Sequence, residues 1–301
     1  MFIRQDGLSV GVHTPAKLNL FLEVLAKRPD GYHEIETVMV AINRFDTVTF
    51  EVHDEPLIDL RIVPSVATES GLPNDPRDNL VYRALDLLRQ RSDCRQGGTA
   101  TLTKRIPSAA GLGGGSSDAA AALMAANRAW KLRWPIEQLQ SLAAELGSDI
   151  PFFLSPPPGN SATIAVCRGR GEIVQPTTAP ANMHFVVARP NFGLSTPRVY
   201  QHCTAAEQPK SAEEFLKSLR AGDRTAAAQQ MTNRLQPAAA CVEPEIDALA
   251  KRFNDSGAIA HQLSGSGSAY FGWFPNAASA RRAAARLRGN DAIQAWYAHA
   301  I

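Results

Sequence analysis

The chain is poor in the features that mark several large functional classes. It has only four cysteines in 301 residues, Cys94, Cys167, Cys203 and Cys241, widely spaced and without a Cys-x-x-Cys pair or a nearby histidine pair. That pattern argues against a zinc ribbon or a disulfide framework and fits a reducing cytoplasm. The formal charge is just +2, which gives no reason to expect a nucleic-acid partner. One arginine-rich stretch, Arg281, Arg282, Arg286 and Arg288, falls in an alanine-rich helical pattern and reads as a solvated helix face. No apolar run is long enough to span a membrane, and residues 1–7 carry no apolar leader segment, so no membrane partner is expected. Internal repeats and long low-complexity tracts are absent as well.

What remains is the composition of an ordinary globular protein, 45% hydrophobic and 20% charged, in a chain long enough for two cores. Its most concentrated signal is the run Pro107-Ser108-Ala109-Ala110-Gly111-Leu112-Gly113-Gly114-Gly115-Ser116-Ser117-Asp118. Glycines at 111, 113, 114 and 115 let the backbone take positive φ and come close to a ligand. Behind them, Ala119 to Ala126 is strong helix-forming sequence. A glycine loop feeding a helix N-terminus presents free N–H groups and a positive dipole end, which suits phosphate. Ser116 and Ser117 are natural N-caps whose hydroxyls are also able to face a metal or phosphate. A flexible turn before a capped helix is the plainer alternative.

This run is neither of the common nucleotide loops. No Gly-Lys-Ser/Thr closes it, and Ser116 stands where a dinucleotide fingerprint requires glycine. His-Arg-Asp, Asp-Phe-Gly and Ala-Pro-Glu signatures are also missing. A third kind of phosphate loop is needed.

Around the loop, residues 16–25 alternate as a half-buried strand, with Leu18, Leu20, Leu22 and Val24 on one face and Lys17, Asn19, Phe21 and Glu23 on the other. Further strands are predicted at 47–52, 58–63, 99–106 and 184–188. Helices are predicted at 79–91 and at 135–146, the latter with proline near its start and glycine just past its end. Ser211-Ala212-Glu213-Glu214 reads as a capping box for a helix that stops at Gly222. Pro156 to Asn160 interrupts regular structure between 155 and 171. Near the end, Ser264-Gly265-Ser266-Gly267-Ser268 precedes an apolar stretch (269–274) and a helix from 276 to 288. Strands followed by helices in each half predict an α+β fold, divided into residues 1–165 and 166–301.

Three segments together resemble the GHMP kinase family: Pro15-Ala16-Lys17-Leu18-Asn19-Leu20, Pro107 to Ala121, and Leu263-Ser264-Gly265-Ser266-Gly267-Ser268. Longer matches, at 15–22, 28–37, 111–118 and 146–153, resemble the branch that acts on a cytidine diphosphate conjugate of methylerythritol. The likeness covers nearly the whole chain and weakens between about 205 and 260. It implies a two-domain GHMP kinase fold with the active site in a cleft between an N-terminal ATP-binding domain and a C-terminal domain. It also implies a cytoplasmic, ATP-dependent kinase of non-mevalonate isoprenoid synthesis, using Mg²⁺ and acting as a monomer or weak homodimer. The product would be the 2-phosphate of a tertiary alcohol, with ADP.

By the same resemblance Asp149 is the catalytic base and Lys17 its partner, with Asn19 orienting the lysine or the substrate hydroxyl. Tyr32 stacks on cytosine and His33 bonds its edge. Thr196, Pro197 and Tyr200 form an opposite wall, and Gly265, Ser266 and Gly267 approach the substrate diphosphate. The ATP triphosphate is wrapped by Pro107, Ser108, Ala109, Ala110, Gly111, Leu112, Gly113, Gly114, Gly115, Ser116 and Ser117, while Asn79 and Lys104 are candidates for the adenine end. No metal ligand is readable, a serine of the loop being the one candidate. Met39 stands where relatives carry an aromatic, which leaves the grip on the nucleotide open. Read without the resemblance, Asp149 and Asn79 are equally helix N-caps, Lys17 a strand charge, Tyr32-His33 a surface turn and 265–267 a tight turn. Two other functions compete. Another family member acting on mevalonate, homoserine or a sugar would lack Gly31-Tyr32-His33, and an inactive member serving as a binding protein would be expected to lose Lys17 or Asp149.

Overall fold

The computed structural model describes residues 1–63, 75–156, 162–180, 182–288 and 293–301. Its α+β chain forms two units that interleave in sequence: residues 1–16, 44–108 and 113–156 make the first, and 17–43, 109–112 and 157–301 the second. The single division expected at 165/166 therefore differs from the contact units. The chain changes unit within two long strands and again inside the glycine loop, which no composition shift marks.

In the first unit, β1 (Phe2–Asp6) pairs antiparallel with the start of β2 (Ser9–Lys27). The second half of β3 (His33–His53) pairs antiparallel with β5 (Gly97–Thr103), and β4 (Ile58–Val63) lies parallel to β5. Helix α1 (Leu80–Arg91) is capped by Asn79, whose side chain accepts from the Val81 N–H. It buries Val81, Ala84, Leu85 and Leu88, the i, i+3, i+4, i+7 stripe of an amphipathic helix. Helix α2 (Gly114–Ala129) packs with its alanines from Ala119 to Ala126 buried, Ala119 to Ala122 having no exposed surface. Small side chains let it sit inside the unit, against α1 and the short α4 (Ile150–Leu154), with α3 (Ile136–Leu146) beside them. Gly147 ends α3 as predicted.

In the second unit, β6 (Ile164–Arg168) and β7 (Ile173–Thr177) form a hairpin, and β6 also pairs with residues 37–40 of β3. A separate antiparallel sheet runs β10-β11-β8-β12, from β8 (His184–Pro190) to β10 (Ala260–Leu263), β11 (Tyr270–Phe274) and β12 (Ile293–His299). Helices α5 (Thr196–Gln201), α6 (Ala212–Arg220), α7 (Arg224–Gln230), α8 (Leu235–Val242), α9 (Glu245–Asn254) and α10 (Ala277–Leu287) complete it, with a two-residue strand β9 (Thr232–Asn233) parallel to β2. Its core gathers Val186, Ala188, Leu235, Phe253, Leu263, Phe274, Ala283 and Ala284 among others. Arg281, Arg282, Arg286 and Arg288 lie on the exposed side of α10 and just beyond it, as the helical pattern predicted.

Two expectations change. The strand at 16–25 is buried on both faces, Lys17, Asn19, Phe21 and Glu23 being no more than 3% exposed. Its polar side chains tolerate this because each is hydrogen-bonded or ion-paired. Neither Ser116 nor Ser117 caps α2. The helix begins at Gly114, and Gly113 caps it in the left-handed region (φ 69°), which glycine takes without steric cost. Pro157 to Asn160 of the predicted interruption lies outside the described residues.

Candidate active site

The second unit brings together segments of the chain far apart in sequence. Lys17 is buried in β2, and its Nζ donates to Asn19 Oδ1 at 2.6 Å. Asn19 Nδ2 donates to Thr37 Oγ1 (2.8 Å), which donates in turn to the Phe21 carbonyl (2.6 Å). Asn19 is thus fixed with its oxygen toward the ammonium, and Gln262 Nε2 holds its backbone carbonyl at 2.8 Å. A Cβ on Gly265 (φ 55°) would stand 3.2 Å from both Lys17 Nζ and Asn19 Oδ1, so the third motif runs directly beside the first.

The head of the glycine loop joins them. The Lys17 N–H donates to the Leu112 carbonyl (3.0 Å), and Ser264 Oγ donates to the Gly111 carbonyl (3.0 Å). Gly111 takes φ 70°, and a Cβ there would lie 2.0 Å from the Ser264 carbonyl oxygen. Ala269 N–H donates to Ala110 O, and Leu194 N–H to Ala109 O. Asn233 Nδ2 donates to both Leu263 O and Gly265 O at 2.8 Å, securing the third motif from the far side. Sequence reasoning missed Asn233, Gln262 and Thr37. Asn233 lies in the stretch where the family likeness fades, so no motif flagged it.

Beside this cluster, His33 and Tyr200 stack on one another with centroids 4.9 Å apart. Burial, reinforced by the Lys27 charge, pushes the His33 pKa down, which favours a neutral imidazole with one donor and one acceptor nitrogen. Tyr32 is 54% exposed, and the Arg170 guanidinium lies 4.8 Å over its ring. The Thr196 hydroxyl meets the Ser266 hydroxyl at 2.7 Å, and Pro197 is in the first turn of α5. Met39 is fully buried opposite Ala165, a core position.

The rest of the glycine loop belongs to the first unit. Gly115 is exposed and Ser116 half-buried at the start of α2. Ser117 is fully buried, and its hydroxyl is committed to Thr14 Oγ1 and to the Pro15 carbonyl (2.5 Å). Its N–H donates to Gly113 O at 2.9 Å. Ser117 therefore ties the helix to the strand, whereas Ser116 remains the serine with an accessible side chain. Asn79 caps α1, and a Cβ on Gly115 would be 3.6 Å from the Leu80 Cδ1, so this cap adjoins the loop. Lys104 is 3% exposed; its Nζ donates to Asp46 (2.5 Å) and Asp118 (2.8 Å) and lies 3.1 Å from where a Gly114 Cβ would be. Asp149 is half-buried at the N-cap position of α4 but makes no side-chain cap bond there, so the plain capping role does not account for it.

No group of three or more His, Cys, Asp and Glu side chains among the described residues is arranged to hold a metal ion. No helix among them is long and apolar enough to cross a membrane.

Residues 79–156 match the GHMP kinases N terminal domain and residues 215–292 the GHMP kinases C terminal domain. A 4-diphosphocytidyl-2-C-methyl-D-erythritol kinase of Pelotomaculum thermopropionicum is 39% identical, the match covering 92% of this chain and 93% of that protein. Its counterpart in Bacillus pumilus is 36% identical over 91% of each chain. A crystal structure of 4-(cytidine 5'-diphospho)-2C-methyl-D-erythritol kinase superposes with a TM-score of 0.78 at 32% identity, covering 96% of this chain and 98% of that one. Homoserine kinase from Cytophaga hutchinsonii, at 18% identity and a TM-score of 0.76 over the whole of both chains, shares the fold.

Proposed function

Because this chain belongs to the GHMP kinases, and within them to the 4-diphosphocytidyl-2-C-methyl-D-erythritol kinases, we propose that it phosphorylates that compound at its tertiary 2-hydroxyl. ATP gives up its terminal phosphoryl group, and ADP and the 2-phosphate are released, as a cytoplasmic step of non-mevalonate isoprenoid synthesis. The observation that carries the reading is the meeting of Lys17, Asn19, Gly111 and Gly265 from three remote segments. The buried ammonium lies beside the glycine turn of the third motif, and that turn abuts the glycine loop.

Phosphoryl transfer needs a positioned hydroxyl, a route for its proton and neutralisation of the moving charge. Asp149 takes the proton of the 2-hydroxyl as its oxygen attacks the terminal phosphorus and the bond to ADP breaks. A base so placed contributes about 10²–10⁴-fold. Lys17, oriented by Asn19, polarises the hydroxyl. Backbone N–H groups from Gly111 to Ser116 bind the triphosphate, and charged acceptors make such bonds stronger than neutral ones. The helix dipole adds only about 0.3–2 kcal/mol. Mg²⁺ would enter with ATP as part of the substrate and would supply positive charge against the phosphates, with Ser116 the loop serine whose accessible hydroxyl would face it.

Tyr32 and His33 select cytosine, the first by its face and the second by an in-plane hydrogen bond. Tyr200 is the second stacking ring, on the opposite wall, with Thr196 toward the diphosphate or ribose, and residues 265–267 approach the diphosphate and the sugar alcohol. The test is ADP release on adding 4-diphosphocytidyl-2-C-methyl-D-erythritol, with mevalonate, homoserine and galactose as controls. Turnover with a control alone would overturn the assignment.

A further inference from the structure

Arg170 belongs to none of the three motifs, and the chemistry above leaves it without a task. It sits at the tip of the β6–β7 hairpin, in Arg168-Gly169-Arg170-Gly171-Glu172. The turn is tightly built. Gly171 N–H donates to Arg168 O (3.0 Å), and the Arg170 N–H donates to Glu172 Oε2 (2.6 Å). Glu172 Oε1 lies 3.6 Å from Arg170 Nε, so one carboxylate holds both the backbone and the guanidinium of the same residue. A Cβ on Gly169 would stand 2.9 Å from both Glu172 carboxylate oxygens, so only glycine leaves that carboxylate its place.

The hairpin tip is in turn anchored to the segment that carries Tyr32. Ile35 N–H donates to Gly169 O at 2.8 Å. The Tyr32 segment has its own frame: Tyr32 N–H donates to Asp30 Oδ1 (3.1 Å), and Arg28 N–H donates to Tyr32 O (2.8 Å). Both partners are therefore fixed at the backbone, and the guanidinium lies 4.8 Å over the Tyr32 ring. A cation on one face of a ring is attracted by its quadrupole and restrains the ring's rotation.

We infer that Arg170 is a positioning residue for nucleoside recognition: it backs one face of Tyr32 and presents the other to the pyrimidine. This rests on the reading of Tyr32 as the wall against which cytosine stacks. An exposed aromatic held in one orientation loses less side-chain freedom when a base stacks on it. The effect falls on substrate affinity and not on the transfer step, because Arg170 acts through the Tyr32 ring and not through the groups given a part in the transfer.

Steady-state kinetics of R170A, R170K, Y32A and the double variant R170A/Y32A test it. In R170A the KM for 4-diphosphocytidyl-2-C-methyl-D-erythritol should rise about two- to five-fold, the equivalent of an exposed cation–π contact, with kcat and the KM for ATP unchanged. R170K, which keeps the cation, should recover most of the loss. In the Y32A background R170A should add nothing further. If Y32A raises the KM while R170A leaves it unchanged, lowers it or adds to Y32A independently, the inference is overturned and the wall stands. A fall in kcat alone for R170A overturns it too. If Y32A itself leaves the KM unchanged, the wall reading fails, and the role of Arg170 fails with it.

Discussion

The buried trio Asp46, Lys104 and Asp118 permits a sharp test by Asp118→Asn. Two carboxylates share one ammonium, so the group carries an excess negative charge when both are ionised. They are not equivalent. Asp46 is fully buried and also accepts from the Arg105 and Ile106 backbone N–H groups. Asp118 has Oδ2 on Lys104, and its buried Oδ1 has no hydrogen-bond partner among the described residues. The extra proton therefore belongs on Asp118, whose pKa burial pushes up to about 8, with the Asp46 charge adding to the shift and Lys104 opposing it. Burial works against the Lys104 charge, but the two carboxylates outweigh it and raise its pKa.

A carboxyl that titrates near pH 8 when folded and near 4 when unfolded binds more protons in the folded state between those values. Its contribution to stability is thus lost as pH rises through that window. Each unit is worth about 1.36 kcal/mol, so from pH 5 to pH 8 this one group costs the parent at most about 4 kcal/mol. Asparagine keeps an acceptor for Lys104 and cannot ionise. Urea unfolding of parent and variant at pH 5, 6.5 and 8 should show the variant gaining on the parent steadily with pH. Other titrating groups cancel in the difference. A difference that stays flat, or shrinks, refutes the assignment of the proton to Asp118.

Asp149→Asn should lower kcat by about 10²–10⁴-fold while ATP binding, followed by titration calorimetry, survives; unchanged turnover would remove Asp149 from the base role. Gly111→Ala should destabilise the fold by at least about 2 kcal/mol and depress activity, because a left-handed φ is costly for alanine and its Cβ would meet the Ser264 carbonyl; a denaturation midpoint equal to the parent's would show that the contact yields freely. Arg234→Ala removes the partner of Glu23, whose carboxylate is fully buried while Arg234 is about a third exposed, with oxygens 2.7 and 3.2 Å from the guanidinium. Screening at that exposure reduces the expected loss to about 1–3 kcal/mol. Burial opposes the Glu23 charge, yet the Arg234 bond and two backbone N–H groups hold its pKa below the usual carboxylate range. That stability is present above the unfolded pKa and lost as pH falls through the folded one. Arg234→Ala should therefore flatten the acid limb of the stability profile below about pH 5; identical limbs would count against it.

The elements that the sequence predicted well are those whose instructions are local. Asn79 before α1, Gly147 after α3 and Asn276 before α10 each act within one turn of themselves, and each stands where the spacing put it. Residues 16–25 show where that logic stops. Alternation assigns one polar face to solvent, but the Asn19 side chain is bound by Thr37 on the next strand and Glu23 by Arg234, 211 residues away. Nothing in the periodicity of a strand announces that its polar face will be matched from so far along the chain. Ser117 fails as a cap for a related reason: its hydroxyl is drawn to Thr14 and Pro15, 103 and 102 residues upstream.

The same distinction separates the two kinds of candidate site residue. Motif residues such as Lys17, Asn19, Gly111 and Gly265 could be singled out because each lies in a short pattern, and the patterns taken together resemble one family. Asn233, Asp46 and Arg170 carry no pattern, and their meaning comes only from what they touch. Lys104 marks the border. As an isolated lysine before a phosphate loop it invites a contact with the nucleotide, but its ammonium already faces two buried carboxylates. A cation neutralised in this way has little field left for phosphate. Its influence on the nucleotide then runs through Asp118 and the first turns of α2, so a change at Lys104 should reach ATP through the shape of the loop.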